Sequence, residues 1–276
     1  LYKLFNLILM ISTNSGGLSN RLKSYISALR LDPNAKIYWP VLGSYRTHNH
    51  ILNCSFHKLF KNDIEVQNNP QKNIYNSHCL AIKESDVLPK HFNTFQSKCS
   101  VKFSKSDKLQ RNIDFMYNKI PESIKNEYIE LFKILKPIDT LQNKINNFSE
   151  QFNEKTVSVH IRSWNRNKEM GRRSYLFDIQ KYEKEMNKYD NTYTFYISTD
   201  SQQVKDYFQK QKKYNVIFYP RTSDLNTSRD FELGIQEDLI ELYLLSKNSI
   251  FIGSHFSTFS EVAWYLSRCT KNIVIV

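Results

Sequence analysis

The sequence predicts an α/β protein whose carboxyl half is a five-stranded parallel sheet with helices on both faces. Three observations carry this expectation. From residue 156 onward, short apolar runs alternate with segments whose apolar residues recur at helical spacing. The runs themselves, "TFYIS" and "IFIG" among them, are nearly continuous, as in strands covered on both faces. Most of these runs are followed at once by hydroxyls, arginines or a carboxylate, and open α/β sheets bind ligands beyond the carboxyl ends of their strands.

The elements follow in order. "TVSVHI" (156–161) is the first strand of this half, and Ser174 is a candidate cap for a helix running to about Tyr189. "TYTFYIS" (192–198) is the second strand. A helix capped by Asp200 or Ser201 follows it, then "NVIFY" (215–219) as the third strand. The polar loop "PRTSDLNTSRD" leads into the helix "ELGIQEDLIELYLLSK". "SIFIG" (249–253), the helix "TFSEVAWYLSR" and the strand "NIVIV" complete the series.

The amino half is less regular. "LILMIST" reads as a buried strand, and "NSGGLSNRLKSYISALRL" as a glycine turn entering an amphipathic helix. "AKIYW" (35–39) is a second strand. Residues 43 to 105 carry no clear period, and residues 107 to 150 are helical with breaks near Pro121 and Pro137. The expected division is an amino-terminal domain over 1–145 and a carboxyl-terminal domain over 146–276.

Composition excludes several classes. A chain of 276 residues with 40% hydrophobic content has ample material for a core. The net charge of +12 favours anionic partners. Most lysines, however, sit in mixed runs such as "QKYEKEMNKYD" that read as solvated helix faces. No RNP-like, KH-like or zinc-finger spacing accompanies them, so nucleic acid is not the expected partner. Cys54, Cys79, Cys99 and Cys269 form no C-x-x-C pair, which removes the usual zinc and thioredoxin-like motifs. A Cys79–Cys99 disulfide stays open. The apolar run at the amino end is too short to span a bilayer and has no cleavage signal. The expected location is cytoplasmic, with the lumenal part of an anchored enzyme as the alternative.

The strand ends define the candidate site. His160, Arg162 and Arg166 follow the first carboxyl-half strand, and Ser198 to Ser201, including Asp200, follow the second. Tyr219 and Arg221 follow the third; Ser254, His255, Ser257 and Thr258 follow the fourth. Arginine offers a planar fork of donors matched to phosphate oxygens. Ser257 and Thr258 open a helix, where free N–H groups and hydroxyls suit the same anion. The glycine turn at 14–21 is another loop-to-helix junction, but it matches neither G-x-x-x-x-G-K-[ST] nor G-x-G-x-x-G. Structural readings stand beside these: His160 as a buried, satisfied histidine, Arg162 as an ion-pair member, Asp200 as a helix cap, Glu241 and Asp238 as surface charges.

Taken in order, "GGLSNRL", "HIR", "FYISTDS" and "IELYLLSKNSIFIGSHFSTFSEVAWYL" resemble the fucosyltransferase superfamily, which includes α1,2-, α1,6- and protein O-fucosyltransferases. The resemblance covers most of residues 156–275 and the loop at 14–22. It implies a GT-B-like fold, two Rossmann-like domains facing a cleft. The donor would be GDP-fucose or a related GDP-sugar, and the partner a glycan or protein acceptor. Transfer would invert the anomeric centre and require no metal or other cofactor. Arg162 would stabilise the leaving GDP at its β-phosphate, with His160 and Arg166 lining the same pocket. Asp200 would lie near the ribose or base, and Arg221 beside the nucleotide. Ser257 and Thr258 would bond phosphate oxygens. Glu241, with Asp238 one turn earlier, would read guanine, and Asn20 would approach the phosphate–sugar end. The chain departs from several relatives after the H-x-R triplet: "SWNRNKEMGRR" contains no carboxylate before Glu169.

Two other classes compete. A sulfotransferase or phosphotransferase would need a P-loop relative, which is absent. A non-enzymatic RNA- or polyanion-binding protein would interleave basic and aromatic residues on one face.

Overall fold

The computed structural model describes residues 9–14, 16–41, 52–66, 73–77, 80–81, 83, 85–86, 120–163, 177–269 and 272–276. Two parallel sheets organise them. The first has the order β3-β2-β1-β4, with β1 at Ile11–Ser12, β2 at Lys36–Tyr38, β3 at Glu65–Val66 and β4 at Ile74–Tyr75. The second has the order β7-β6-β5-β8-β9. Its strands are β5 (Thr156–Ile161), β6 (Thr194–Thr199), β7 (Asn215–Ile217), β8 (Ile250–Gly253) and β9 (Asn272–Ile275). Every pairing in both sheets is parallel.

The five strands expected in the carboxyl half are present, and both faces of their sheet are covered. In β5 the odd positions Val157, Val159 and Ile161 join Phe195, Ile197 and Ile252 in one apolar cluster. Tyr182 and Met186 of α4 (Ile179–Met186) and Val204 and Phe208 of α5 (Gln202–Lys210) cover that face. On the other face, Tyr196 and Phe251 join Leu239, Leu242 and Leu245 of α6 (Glu232–Leu245). The even positions of β5 are Thr156, Ser158 and His160, all buried. Burial of these polar groups is tolerated because they are bonded: Asn248 Nδ2 donates to Ser158 Oγ at 2.9 Å, and His160 meets Ser260.

Helix boundaries refine the sequence reading. Helix α4 starts at Ile179 with Asp178 as its cap, accepting from Gln180 N at 3.0 Å; Ser174 lies outside the described residues. Ser201 rather than Asp200 caps α5, through Val204 N. Of the expected breaks, Pro121 stands at the N-cap of α2 (Glu122–Phe132) and Pro137 lies between α2 and α3 (Asp139–Ser149). The amino half, expected to be irregular, holds a four-stranded sheet because its short strands flank the helix α1 (Leu18–Leu31).

The two sheets share one core. Leu18, Leu22, Tyr25 and Ile26 of α1 lie in the same apolar cluster as Val262, Ala263 and Tyr265 of α7 (Thr258–Leu266). Tyr128 and Phe132 of α2 pack beside Tyr265, with centroids 5.6 and 5.1 Å away. Lys23 of α1 and Glu261 of α7 form a buried ion pair at this junction. Helix α3 leans on the second sheet: Phe148 lies 5.8 Å from Tyr196 and 5.4 Å from Tyr219. Burial raises the Glu261 carboxyl above its ordinary range against the pull of Lys23. Cys54 and Cys269 are free thiols; Cys79 and Cys99 lie outside the described residues. Among the described residues, no helix is long and apolar enough to cross a membrane.

Candidate functional site

The strand order β7-β6-β5-β8-β9 reverses direction between β5 and β8. At such a switch point the two following connections leave on opposite faces, and a crevice opens between them. The residues ending β5 and β8 are therefore the ones a ligand would meet.

Arg162 follows the last residue of β5. Its guanidinium Nη1 donates to Asp200 Oδ2, at the end of β6. The other carboxylate oxygen, Asp200 Oδ1, accepts from Ser163 N at 2.8 Å and Ser163 Oγ at 2.9 Å. Asp200 thereby closes a ring with the two residues that follow β5. The Arg162 side chain is 12% exposed and that of Asp200 10%. The guanidinium is thus held by Asp200 and is slightly exposed. A charge held this way costs little reorganisation when a second anion arrives.

His160 sits one layer deeper. Its Nδ1 lies 2.7 Å from Ser260 Oγ, and its ring packs 5.0 Å from Phe259. Burial, assisted by Arg162 and opposed by Asp200, pushes the imidazole down to about 3. His160 is consequently neutral at working pH. Its ordinary value is 6.5, so the stability its neutral form contributes is present above pH 6.5 and is lost as pH falls toward 3. Between pH 7 and 5, stability should fall more steeply for the natural chain than for His160→Gln. Equal slopes in urea titrations at the two pH values would overturn that assignment.

The start of α7 lies next to this layer. Phe256 takes φ 57°, a left-handed conformation that strains a non-glycine residue by about 1–3 kcal/mol. Its neighbours hold it: His255 N donates to Val276 O at 2.8 Å and Ser257 N to Ser254 O at 3.4 Å. The turn brings Ser257, the N-cap of α7, to the sheet edge, buried and making no side-chain cap bond. Thr258 Oγ1 donates to Asn20 Oδ1 of α1 at 2.6 Å, across 238 positions of sequence. The glycine turn and the α7 start therefore form one lip. Gly16 is required there: a Cβ on it would fall 2.6 Å from Asn20 Nδ2.

Arg221 and Glu241 are brought together elsewhere on the same edge. Arg221 Nη1 lies 2.7 Å from Glu241 Oε2 and 2.8 Å from Asp238 Oδ1, and its Nη2 donates to Gly234 O at 3.0 Å. Glu237 accepts from Thr222 N at 2.8 Å and Ser223 N at 3.1 Å. Burial opposes the Arg221 charge, but Glu241 and Asp238 outweigh it and hold the guanidinium above its ordinary range. Burial pushes the Glu241 carboxyl up to about 7 even beside Arg221. The Glu241 side chain is 7% exposed and engaged by Arg221, whereas Asp238 is 18% exposed. Of the two carboxylates the sequence singled out, Asp238 keeps the more open face.

Arg166 lies outside the described residues. The sequence reading missed Ser163, Tyr182 and Ser260 as members of this layer. Only Ser163 had a local signal, its place directly after Arg162; the other two arrive from α4 and α7. Among the described residues no group of three or more His, Cys, Asp or Glu side chains could hold a metal ion.

No protein-family model matches the chain, and no curated protein matches it. Solved structures do. The NodZ α-1,6-fucosyltransferase soaked with GDP-fucose is 18% identical with a TM-score of 0.52, covering 94% of this chain and 92% of its own. Fucosyltransferase NodZ from Bradyrhizobium is 16% identical with a TM-score of 0.51, over 92% and 91% of the two chains. POFUT1 in complex with GDP is 10% identical with a TM-score of 0.51, over 97% and 98%. The fold of this chain is the fold these proteins share.

Proposed function

We propose that this protein is a glycosyltransferase that moves fucose from GDP-fucose to a hydroxyl of a glycan or protein acceptor, with inversion and without a metal. The observation that carries the reading is Arg162, fixed by Asp200 at the switch point. The fold shared with a fucosyltransferase soaked with GDP-fucose and with POFUT1 in complex with GDP supports it.

In this reading the Arg162 guanidinium bonds the β-phosphate of the donor. As the bond from the anomeric carbon to the phosphate oxygen breaks, the electron pair goes to the diphosphate, and the sugar gains oxocarbenium character. A preset cation stabilises that growing charge more than the ground state, which is the condition for acceleration. Ser257 Oγ and the N–H groups of the first turn of α7, that of Thr258 among them, take the phosphate oxygens, and Asn20, held by Thr258 Oγ1, approaches the sugar end from the glycine turn. Arg166 adds a second cation on the same stretch. Neutral His160 supports the pocket floor rather than taking a proton. Asp200 orients Arg162 and lies near the ribose. The Arg221–Glu241–Asp238 group forms the guanine end. An ionised carboxylate there accepts from guanine N1–H and N2–H₂.

A thermal-shift series with GDP, UDP, adenosine phosphates and RNA tests this reading, paired with transfer from GDP-fucose in EDTA. GDP is expected to stabilise the fold, by about 2.7 kcal/mol at a hundredfold excess over Kd, while UDP does not. Turnover is expected to persist in EDTA. Equal stabilisation by UDP overturns the guanine assignment. Activity lost on chelation and restored by Mn²⁺ or Mg²⁺ overturns the metal-free mechanism, and stabilisation by RNA alone overturns the enzyme reading.

A further inference from the structure

The pairing of β5 with β8 runs Val157↔Ile250, Ser158↔Phe251, Val159↔Ile252. Continued by two residues, the register sets Ser254 opposite Ile161. In a parallel ladder, a residue at that position would donate its own N–H to His160 O and accept from Arg162 N through its own C=O. The chain does neither with its backbone. Ser254 Oγ donates to His160 O at 2.7 Å and accepts from Arg162 N at 2.7 Å. One hydroxyl replaces a whole peptide unit.

The replacement releases the backbone of Ser254 from β5, while His255 N still donates to Val276 O on the β9 side at 2.8 Å. The Ser254 N–H donates instead to Ser260 Oγ at 3.0 Å, on α7. The strained turn at Phe256 and the N-terminus of α7 then fall at the switch point rather than beyond it. Tyr182 OH of α4 lies 2.7 Å from Ser254 Oγ. A serine hydroxyl has one donor and two acceptor sites. With its hydrogen on His160 O, the two lone pairs take Arg162 N and Tyr182 OH. The hydroxyl is saturated, and it is fully buried, so water has no place on it.

We infer that Ser254, oriented by Tyr182, is the positioning residue that sets the backbone of Arg162 for its work on the diphosphate. This inference rests on the reading above for its catalytic meaning, and on geometry alone for the placement. Asp200 fixes the far end of the Arg162 side chain; Ser254 fixes its root. Displacing the root moves the guanidinium relative to the leaving group. A misplacement of about 1 Å can cost about 10²-fold in rate.

The test uses Ser254→Ala, Ser254→Thr and Tyr182→Phe in the full chain. Turnover with GDP-fucose, Kd for GDP and amide exchange at Arg162 are measured on each. Ser254→Ala is expected to lose about 10²-fold in kcat while KM for the donor changes far less. Ser254→Thr restores most of that loss, and Tyr182→Phe, which removes one bond of three, gives a smaller drop. The Arg162 amide exchanges slowly in the natural chain and fast in Ser254→Ala, while Val159 stays protected. Unchanged kcat in a folded Ser254→Ala overturns the inference, as does unchanged Arg162 exchange. If Ser254→Ala does not fold, Tyr182→Phe decides: kcat equal to that of the natural chain is the overturning result. If the natural chain neither binds GDP nor transfers sugar, the proposed function fails on its own, and the exchange data still read the placement.

Discussion

Arg162→Lys is expected to fold with a nearly unchanged melting temperature and to be badly impaired in turnover, and Arg162→Ala to be almost inactive. The expectation follows from what surrounds the guanidinium. Asp200 holds it from one side, and the same carboxylate keeps two bonds from Ser163 when the arginine is gone. The fold therefore loses the ion pair at Asp200 Oδ2, whose side chain is 10% exposed, while Oδ1 stays bonded to Ser163. The chemistry loses more. Lysine keeps the charge but not the planar fork that can bind Asp200 and a phosphate oxygen at once. Removing a preorganised charge-stabilising donor costs on the order of 10²–10³ in kcat. An arginine that only supports the fold gives the opposite partition: a lower melting temperature in Arg162→Ala and near-normal turnover in the folded fraction. Melting temperature and single-turnover rate on the same two variants separate the cases.

The second sheet was legible because its signals are local. "TVSVHI" is a run of six buried residues with its larger apolar side chains on alternate positions, and Ser201 announces α5 by standing just before its first turn. The strand-end residues were legible for the same reason, since an α/β sheet delivers whatever follows a strand to one edge. The first sheet was legible only in part: "LILMIST" and "AKIYW" hold β1 and β2, but β3 and β4 are two residues each, too short to show a period. Partners were the least legible of all. Thr258 meets Asn20 across 238 positions and Ser254 meets His160 across 94. No local pattern in a single chain encodes such a contact. Glu241 shows what this does to a site reading. Its place on α6 is plain from the helical period, but its engagement by Arg221 appears only when the loop after β7 folds back over that helix.

That engagement sets the largest expected stability effect. Arg221 is the cation shared by Glu241 and Asp238, with Glu237 Oε2 3.6 Å from its Nε, and it is 5% exposed. Arg221→Met keeps an apolar stem of similar length and leaves those carboxylates without it. Removing one partner of a buried ion pair costs about 3–5 kcal/mol, because the remaining charge stays desolvated. A loss of that size is expected at pH 8, read as the urea midpoint. Its pH dependence identifies the cause. Burial already raises the Glu241 carboxyl to about 7, from an ordinary 4.5. A carboxyl raised in the fold gives stability that is complete below its unfolded value and lost as pH rises through the folded one. For Glu241 the window runs from about pH 4.5 to 7, and without the arginine its upper limit moves higher. Arg221→Met is therefore expected to recover relative to the natural chain as pH falls from 8 to 5.5. Arg221→Met combined with Glu241→Leu should recover most of the loss at pH 8 itself, since an apolar pair can replace a buried ionic one. If Arg221 acts first as a nucleotide contact, the partition changes. The single variant would then keep its midpoint at both pH values and lose affinity for GDP, and a pH-independent midpoint in urea would overturn the electrostatic account.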